Sequence, residues 1–422
     1  MTAMSVTTGL AHTAATLPIA YFPLNYYNGP SHKISTNLVI DQTTIEVVYD
    51  LGSDTFWTFG PNSTENWGCT SLFCPGPCNI SVTDYYNWPA SPTASQPTPF
   101  DFFASYGDFT KFVSGDLTIN DTFTFTSAAA ATTTDTDQSS TIPNLQVAVV
   151  DYMQQRLGTS GTCTDNVAYD HGILGVAPYQ HSPSWNTSGP NVRHNLLQQG
   201  TISAPVHCMW FDQAPDTING TYTGGAIMGG IDVSKFSGDL VEVISERSDP
   251  SDPQAASVGY FVPPPTISVN GTILSDVAAA LGSPCQIDSG TSMDSLPIGN
   301  QTAFQLATGT VTTPDGSLVW PGECASIPTD LYLDMEFQGK DAGTSVTIRV
   351  PMRSYARDGY DVGSGYCALS FSLSGCLLAS PFSTAAFFAA DDATGSIALA
   401  QGGVAERGSG VDYARVVGRI PV

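Results

Sequence analysis

Two aspartates occur in matching local sequences, one in each half of the 422-residue chain. Asp50 opens the tetrapeptide Asp-Leu-Gly-Ser, and Asp288 opens Asp-Ser-Gly-Thr. An apolar run precedes each motif, which predicts a strand that ends at the carboxyl group. The glycine permits a tight turn and the following hydroxyl offers a local hydrogen bond, so each carboxyl group is held rigidly.

Two such carboxyl groups that face each other can perform acid–base chemistry. At a separation of about 3 Å two like charges cannot both form, so the pair shares one proton. One carboxyl then acts as a base and the other as an acid, and a water molecule between them can be added to an amide carbonyl without a metal or a covalent intermediate. A single Asp-x-Gly-Ser is typical of a simple turn, but two copies after apolar runs favour a paired site.

The rest of the chain predicts the elements that must position these groups. Short alternating or apolar runs, separated by clusters of Gly, Pro, Asn and Asp, indicate an all-β protein with few short helices. Helices are predicted over Val192–Gln199, Ser275–Leu281 and Asn300–Ala307, each ended by a glycine. The Ala- and Thr-rich segment Ser127–Thr141 predicts a loop. Strands are predicted over Lys33–Ile40, Thr44–Tyr49, Phe109–Phe125, Leu145–Val150, Gly225–Met228, Leu240–Ile244, Thr266–Val269, Leu331–Phe337, Ser345–Val350 and Ser396–Ala400.

A weak internal repeat suggests how the two motifs meet. Each half carries a second short apolar segment after its motif, Ile173–Gly175 in the first and Leu377–Ala379 in the second. Two copies of one β unit, related by a pseudo-twofold axis, would bring Asp50 and Asp288 together at their interface. We therefore predict an N-terminal β lobe over residues 1–235 and a C-terminal β lobe over residues 236–422, with one motif in each.

Seven segments in a fixed order resemble the pepsin-like aspartic peptidases, and the resemblance covers nearly the whole chain. Two of them are the aspartate motifs, the first of which continues to Trp57. The segment 225–232, Gly-Ala-Ile-Met-Gly-Gly-Ile-Asp, is similar to another signature of the family. The remaining four are the pair Cys69 and Cys74, the flap start Ser105–Gly107, the segment Asp170–Ala177 and the pair Cys324 and Cys367.

The resemblance implies a bilobal pepsin-like acid protease fold with lobes related by a pseudo-twofold axis. In that fold Asp50 and Asp288 activate a water molecule in the cleft between the lobes, and no cofactor or metal is needed. The resemblance also implies work in acid, disulfides Cys69–Cys74 and Cys324–Cys367, and a set of supporting and flap residues. These are Ser53, Ser289, Thr291 and Ser292 around the dyad, and Tyr106, Gly107, Asp108 and Phe109 on a flap that closes over the substrate.

Three departures distinguish this chain from the family pattern. Leu51 replaces a Thr or Ser whose buried hydroxyl reaches across the lobe interface, so half of that hydrogen-bond network is missing. Ala379 replaces a glycine, and its methyl group is expected to crowd the backbone beneath the site. The flap is longer and bulkier than usual, and Phe109, Lys111 and Phe112 could fill space that a peptide would occupy.

These departures leave three hypotheses open. The first is an aspartic endopeptidase with weakened geometry. The second is a pepsin-fold enzyme diverted to other acid–base chemistry, such as dehydration or cyclisation of a hydrophobic small molecule. The third is a non-catalytic relative that binds or inhibits another protein. Retention of Asp50 and Asp288 counts against the third hypothesis, and Leu51 counts against the first.

Composition limits the partners. The chain has 38 acidic and 13 basic side chains, a formal net charge of -25, so it lacks the basic surface that nucleic acid or an anionic membrane requires. The chain contains no run of about eighteen apolar residues, so the sequence predicts no membrane-spanning helix. Hydrophobic residues make up 41% of the chain, enough to bury a large core. The six histidines show no pair at ligand spacing, which argues against a metal site.

The sequence also predicts a secreted or secretory-pathway glycoprotein that acts as a monomer. We interpret it as a mature form whose leader is absent, because residues 1–16 make a poor signal peptide. The 9 cysteines are an odd number, and Cys376, on an apolar segment, is predicted to be the buried free thiol. Asn-x-Ser/Thr sequons exceed the number expected by chance and begin at Asn62, Asn79, Asn120, Asn186, Asn219, Asn270 and Asn300.

Overall fold

Strands dominate the computed structural model, which confirms an all-β fold with few short helices. In the described residues the helices are α1 (Val192–Gln198), α2 (Gln301–Thr308) and α3 (Ser380–Ala385). None of these helices is long and apolar enough to cross a membrane. The structure describes residues 17–27, 33–40, 43–68, 76, 78–107, 111–127, 139–155, 170–178, 190–246, 259–275, 283–363 and 365–421.

The strands form two sets, one in each half of the chain, and one strand of each set leads into an aspartate motif. The first set is β1 (Ala20–Tyr27), β2 (Ile34–Ile40), β3 (Thr43–Asp50), β4 (Phe56–Trp67), β5 (Cys78–Ser81), β6 (Thr98–Tyr106), β7 (Lys111–Thr126), β8 (Ser139–Gln155), β9 (Gly172–Gly175), β10 (Val206–Phe211), β11 (Thr221–Met228) and β12 (Ile231–Asp232). The second set is β13 (Ser237–Val243), β14 (Tyr260–Val262), β15 (Thr266–Val269), β16 (Thr272–Ile273), β17 (Cys285–Ile287), β18 (Asp294–Ser295), β19 (Val311–Thr312), β20 (Leu318–Pro321), β21 (Tyr332–Gln338), β22 (Ser345–Pro351), β23 (Ala356–Arg357), β24 (Tyr366–Leu369), β25 (Phe371–Ser372), β26 (Leu377–Leu378), β27 (Ala386–Asp391), β28 (Ser396–Gln401) and β29 (Val416–Val417).

One large sheet joins the two halves of the chain. Its strand order begins β13-β28-β27-β10-β11-β1, so three strands of the second half continue directly into three strands of the first. The junction is the antiparallel pair β10–β27, in which Val206 lies opposite Asp391. The smaller sheets β14-β17-β26-β18-β25, β16-β15-β21-β22 and β19-β20-β24-β23 contain strands of the second half alone. The lobe boundary at residues 235 and 236 stays a prediction.

Alternation of apolar and polar residues explains why many strands form. In β22 every second side chain, from Val346 through Ile348 to Val350, is buried while the residues between them are exposed. Its partner β21 buries Leu333, Met335 and Phe337, and the residues between them are half-buried. Such alternation places one face of a strand pair on the core and the other in water. The main hydrophobic cluster runs through both halves and includes the strand residues that lead into each motif, Tyr49 and Ile287 among them.

Two of the three predicted helices are confirmed within the described residues. Helix α1 begins after Asn191, whose side-chain oxygen accepts a hydrogen bond from the backbone of His194. Helix α2 begins after Asn300 in the same manner and ends at Gly309, which has a φ of 83°. The predicted helix Ser275–Leu281 falls mostly outside the described residues. The sequence did not predict α3, because its six residues carry no helical periodicity.

The predicted loop Ser127–Thr141 is wrong at its C-terminal end. Strand β8 begins at Ser139 and extends for 17 residues, so the last part of that segment is strand. Ser139 lies opposite Thr126 of β7, and Thr141 lies opposite Thr124. Pairing with a long neighbouring strand therefore overrides the local composition. Residues 128–138 lie outside the described residues.

Disulfides close two loops in the second half. The predicted pair Cys324–Cys367 is present. A second disulfide joins Cys285 to Cys376, so the prediction that Cys376 carries a free thiol is wrong. The buried free cysteine in the described residues is Cys208, on β10. Cys69 and Cys74 lie outside the described residues, so their pairing stays a prediction.

Candidate active site

The two aspartate motifs occupy equivalent places in two copies of one strand arrangement. Strand β3 pairs in parallel with β9, with Tyr49 opposite Leu174. Strand β17 pairs in parallel with β26, with Ile287 opposite Leu378. In both cases the residue immediately before the aspartate lies opposite the second residue of the later apolar segment, which is a leucine in each half. The internal repeat inferred from the sequence is thus a repeat of structure.

The hydrogen bonds of the two carboxyl groups are also equivalent. Asp50 accepts bonds from the backbone N–H of Gly52 at 2.7 Å and from the hydroxyl of Ser53. Asp288 accepts bonds from the backbone N–H of Gly290 at 2.9 Å and from the hydroxyl of Thr291 at 2.8 Å. Each carboxyl group therefore has one oxygen bound to its own turn and one bound to a hydroxyl three residues later.

Each carboxyl group lies against the glycine of the opposite motif. A Cβ atom placed on Gly52 would lie 2.6 Å from Cγ of Asp288, and one placed on Gly290 would lie 2.4 Å from Oδ1 of Asp50. Burial, followed by the negative charge of Asp288, raises the pKa of Asp50 well above its usual value. The structure thus brings the two predicted aspartates together, with an environment in which Asp50 holds a proton more strongly than a free carboxyl group.

The hydroxyl network between the lobes is asymmetric, as the substitution at Leu51 predicts. The hydroxyl of Ser289 donates a hydrogen bond to the carbonyl of Tyr49 at 2.6 Å and accepts one from the backbone N–H of Leu51 at 3.0 Å. The mirror-image bonds cannot form, because the side chain of Leu51 has no polar atom and is fully buried in the hydrophobic core. One of the two interlobe clamps is therefore replaced by apolar packing.

Two other residues that the sequence singled out, Ser292 and Ala379, lie near the second motif. The hydroxyl of Ser292 accepts a hydrogen bond from the guanidinium of Arg357 at 2.9 Å, and its support of the dyad stays a prediction. Ala379 is fully buried with a φ of -96°, a conformation that alanine adopts without strain. At the equivalent position of the first half, a methyl group on Gly175 would lie 2.4 Å from the backbone nitrogen of Thr55. Only the second half has room for a methyl group there.

Asp294 is a fully buried carboxyl group close to the second motif, and sequence reasoning missed it. Its oxygens accept hydrogen bonds from the backbone N–H of Ala379 at 2.7 Å and from the hydroxyl of Tyr355 at 2.9 Å. The hydroxyl of Ser380, the residue after Ala379, donates hydrogen bonds to the backbone carbonyls of Ser289 and Thr291. Asp294 thus fixes the chain segment that supports the turn of Asp288. Its position six residues after Asp288, in a segment otherwise apolar or small, was the available signal.

The buried carboxyl of Asp294 makes stability depend on pH in a defined direction. Burial raises its pKa from 3.8 to about 7, against the opposing effect of its hydrogen bonds. Between these values the unfolded chain has lost a proton that the folded chain retains, so this group lowers the free energy of unfolding as pH rises, by up to about 4 kcal/mol. We expect Asp294→Asn to remove this contribution to the pH dependence of the free energy of unfolding, because asparagine stays neutral.

The measurement is denaturant unfolding of both proteins at pH 4 and pH 7.5. The stability of the parent relative to Asp294→Asn should be lower at pH 7.5 than at pH 4, because all other groups titrate alike in both. Equal differences at the two pH values would contradict the assignment.

The segment that the resemblance identifies as the start of the flap lies close to the first motif. Tyr106, at the end of β6, accepts a hydrogen bond from Nε1 of Trp57 at 2.7 Å. Burial, followed by the negative charge of Asp50, raises the pKa of Tyr106 well above its usual value. Gly107 has a φ of 56° and begins the turn. Asp108 and Phe109 lie outside the described residues, so their contact with substrate stays a prediction.

The bulky flap residues Lys111 and Phe112 do not point alike. Lys111 is buried and its ammonium group contacts Asp170. Phe112 packs against Phe103 and Tyr152, at ring-centroid distances of 5.7 and 6.5 Å.

Within the described residues, no group of three or more His, Cys, Asp or Glu side chains is placed to hold a metal ion.

Comparison with known proteins agrees with this all-β arrangement of strands. A family model described as "Eukaryotic aspartyl protease" matches residues 38–401. Pepsin B from Canis lupus familiaris is 25% identical over 209 residues, which make up 49% of this chain and 45% of that protein. The match therefore spans about half the length of this relative, whereas the family model spans most of the chain. This protein belongs to the eukaryotic aspartyl protease family.

Proposed function

We propose that the protein is an aspartic endopeptidase that hydrolyses peptide bonds at acid pH. The observation that carries the proposal is the equivalence of Asp50 and Asp288, each with the same hydrogen bonds and each lying against the glycine of the opposite motif. A pair with one shared proton can deprotonate a water molecule with one carboxylate and protonate the amide with the other carboxyl group. The raised pKa of Asp50 favours the singly protonated pair.

The proposal assigns roles to the surrounding residues. Ser53 and Thr291 orient the outer oxygens of the dyad, and Ser289 holds the two motifs together. Tyr106, on the flap, closes over a peptide that occupies the cleft between the lobes. No cofactor or metal takes part.

The direct test is cleavage of a denatured globular protein at pH 3 to 5, with and without a transition-state inhibitor of aspartic peptidases. We expect cleavage that the inhibitor abolishes. If the purified protein shows no inhibitor-sensitive cleavage over this pH range, the proposal is wrong.

We further propose that the protein is a secreted, N-glycosylated monomer. Five sequon asparagines are exposed in the structure, which would leave them accessible to glycosylation: Asn62, Asn79, Asn219, Asn270 and Asn300. Loss of mass on treatment with an N-glycosidase, after expression in a eukaryotic secretory host, tests this.

Leu51 favours a second candidate function. Because Leu51 has no hydroxyl group, the first motif cannot make the hydrogen bond across to the opposite motif that Ser289 makes from the second. A pepsin-fold enzyme whose dyad performs dehydration or cyclisation of a hydrophobic small molecule would tolerate this loss. A binding or inhibitory relative without catalysis is a third candidate, but it gives no reason to retain both aspartates.

The substitution Leu51→Thr separates the first two candidates. We expect a gain of about fivefold in kcat/KM for a peptide substrate, because one recovered hydrogen bond contributes about 1 kcal/mol. Leu51→Val is the matched control, since valine has the shape of threonine without the hydroxyl. Equal kcat/KM values for the two variants would instead favour the diverted enzyme.

A further inference from the structure

Lys111 is a buried cation at the base of the flap hairpin. It is the first residue of β7 and lies opposite Tyr106 of β6. Its exposed fraction is 7%, although an unpaired ammonium group in such a place would be strongly unfavourable. Its partners therefore show what it does.

The partner of Lys111 belongs to the wall beneath the flap. Nζ donates hydrogen bonds to both carboxylate oxygens of Asp170, whose exposed fraction is 1%. Asp170 lies two residues before β9, and β9 is the parallel neighbour of β3, with Gly175 opposite Asp50. The ion pair thus connects the flap hairpin to the strand beside the first catalytic aspartate.

The same ammonium group contacts the two aromatic rings of the site. Nζ lies 5.2 Å from the ring centroid of Tyr106 and 5.3 Å from that of Trp57, within the range of a cation–π interaction. Tyr106 is therefore held at its ring by Lys111 and at its hydroxyl by Trp57. The neighbouring buried carboxyl, Glu65, is bound separately by Nε1 of Trp67 at 3.0 Å.

We propose that the Lys111–Asp170 pair is a latch that positions the flap. It fixes the ring of Tyr106 over the dyad, and it acts through Tyr106 rather than on substrate. The effect on catalysis rests on the proposed peptidase function. Loss of the latch should lower kcat by a larger factor than it raises KM. The cleft still binds the peptide, but Tyr106 no longer orients the peptide bond relative to the two carboxyl groups.

A double-substitution experiment separates positioning from simple stabilisation. Lys111→Met and Asp170→Leu each leave one buried charge unpaired, so each single variant should unfold at lower denaturant concentration than the parent. The double variant replaces both members of the pair with apolar side chains, so neither charge is left without its partner, and it should recover most of that stability. We expect its kcat/KM nevertheless to stay at least about tenfold below the parent value, since the Tyr106 ring has lost its cation.

Two further variants serve as controls. Lys111→Arg keeps a cation in place and should retain most of the parent kcat/KM. Lys340→Met removes a lysine from an exposed pair with Glu242 and should change neither stability nor kcat/KM appreciably. Parent-like kcat/KM in the stable double variant would overturn the latch.

Amide hydrogen exchange tests the latch even if the protein cleaves no peptide. In the double variant, exchange should become faster in the hairpin residues 98–107 and 111–126, and should be unchanged in β22 of the other half. Unchanged hairpin exchange would overturn the proposal. Absence of peptide cleavage by the parent, with faster hairpin exchange in the double variant, would reject the proposed function and retain the latch.

Discussion

Asp50→Asn and Asp288→Asn are each expected to lower kcat for a peptide substrate at pH 4 by about 1000-fold or more. An amide cannot take the proton of the attacking water, and with an asparagine at either position the one remaining carboxyl group cannot act as base and acid at once. Because the two carboxyl groups have equivalent hydrogen bonds, the two variants should lose activity to a similar extent.

The pH dependence of the parent follows from the same pair. The raised pKa of Asp50 means that the dyad retains its shared proton to a higher pH than an isolated aspartate would. Activity should therefore be present in acid and decline as pH rises and that proton is lost. Steady-state rates from pH 2 to 8 give this profile.

The control for the dyad variants is Asp341→Asn, because Asp341 is an exposed aspartate whose backbone carbonyl, not its side chain, accepts the bond from Thr344. It should have parent activity. Parent-like activity in Asp50→Asn would remove the dyad from the mechanism.

Gly52→Ala is expected to lower kcat/KM by about 100-fold. The new methyl carbon would lie 2.6 Å from Cγ of Asp288, closer than non-bonded carbons approach, so the opposite carboxyl group must move. A displacement of about 1 Å in a catalytic group can cost this much, and the crowding should also lower the free energy of unfolding by about 1–3 kcal/mol.

Two further alanine substitutions define this effect. Gly290→Ala places its methyl carbon 2.4 Å from Oδ1 of Asp50 and should behave like Gly52→Ala. Gly418→Ala is the matched control, since its methyl carbon would lie 3.5 Å from the nearest atom, in Leu17. The measurements are kcat/KM and denaturant unfolding. Parent-like kcat/KM in both motif variants would contradict the close approach of the two motifs.

The sequence by itself determined the elements whose cause is local. Alternation specified strands such as β22, and the Asn and Gly residues at its ends specified α2, because these patterns act over a few neighbouring residues. The motifs at Asp50 and Asp288 could be recognised for the same reason. Their repeat, with a second apolar segment in each half, was enough to predict that the two carboxyl groups meet.

Only the tertiary structure decided which distant residues become partners. Cys285 and Cys376 are 91 residues apart in sequence but have Cα atoms 4.5 Å apart, and nothing local distinguishes Cys376 from a free thiol. Lys111 and Asp170 are 59 residues apart, so a lysine that the sequence presents as a lone flap charge becomes a buried ion pair. Burial raises the pKa of Asp294, against the opposing effect of its hydrogen bonds with Tyr355 and the Ala379 backbone. Burial and pairing depend on the whole packed chain, and local patterns carry no record of them.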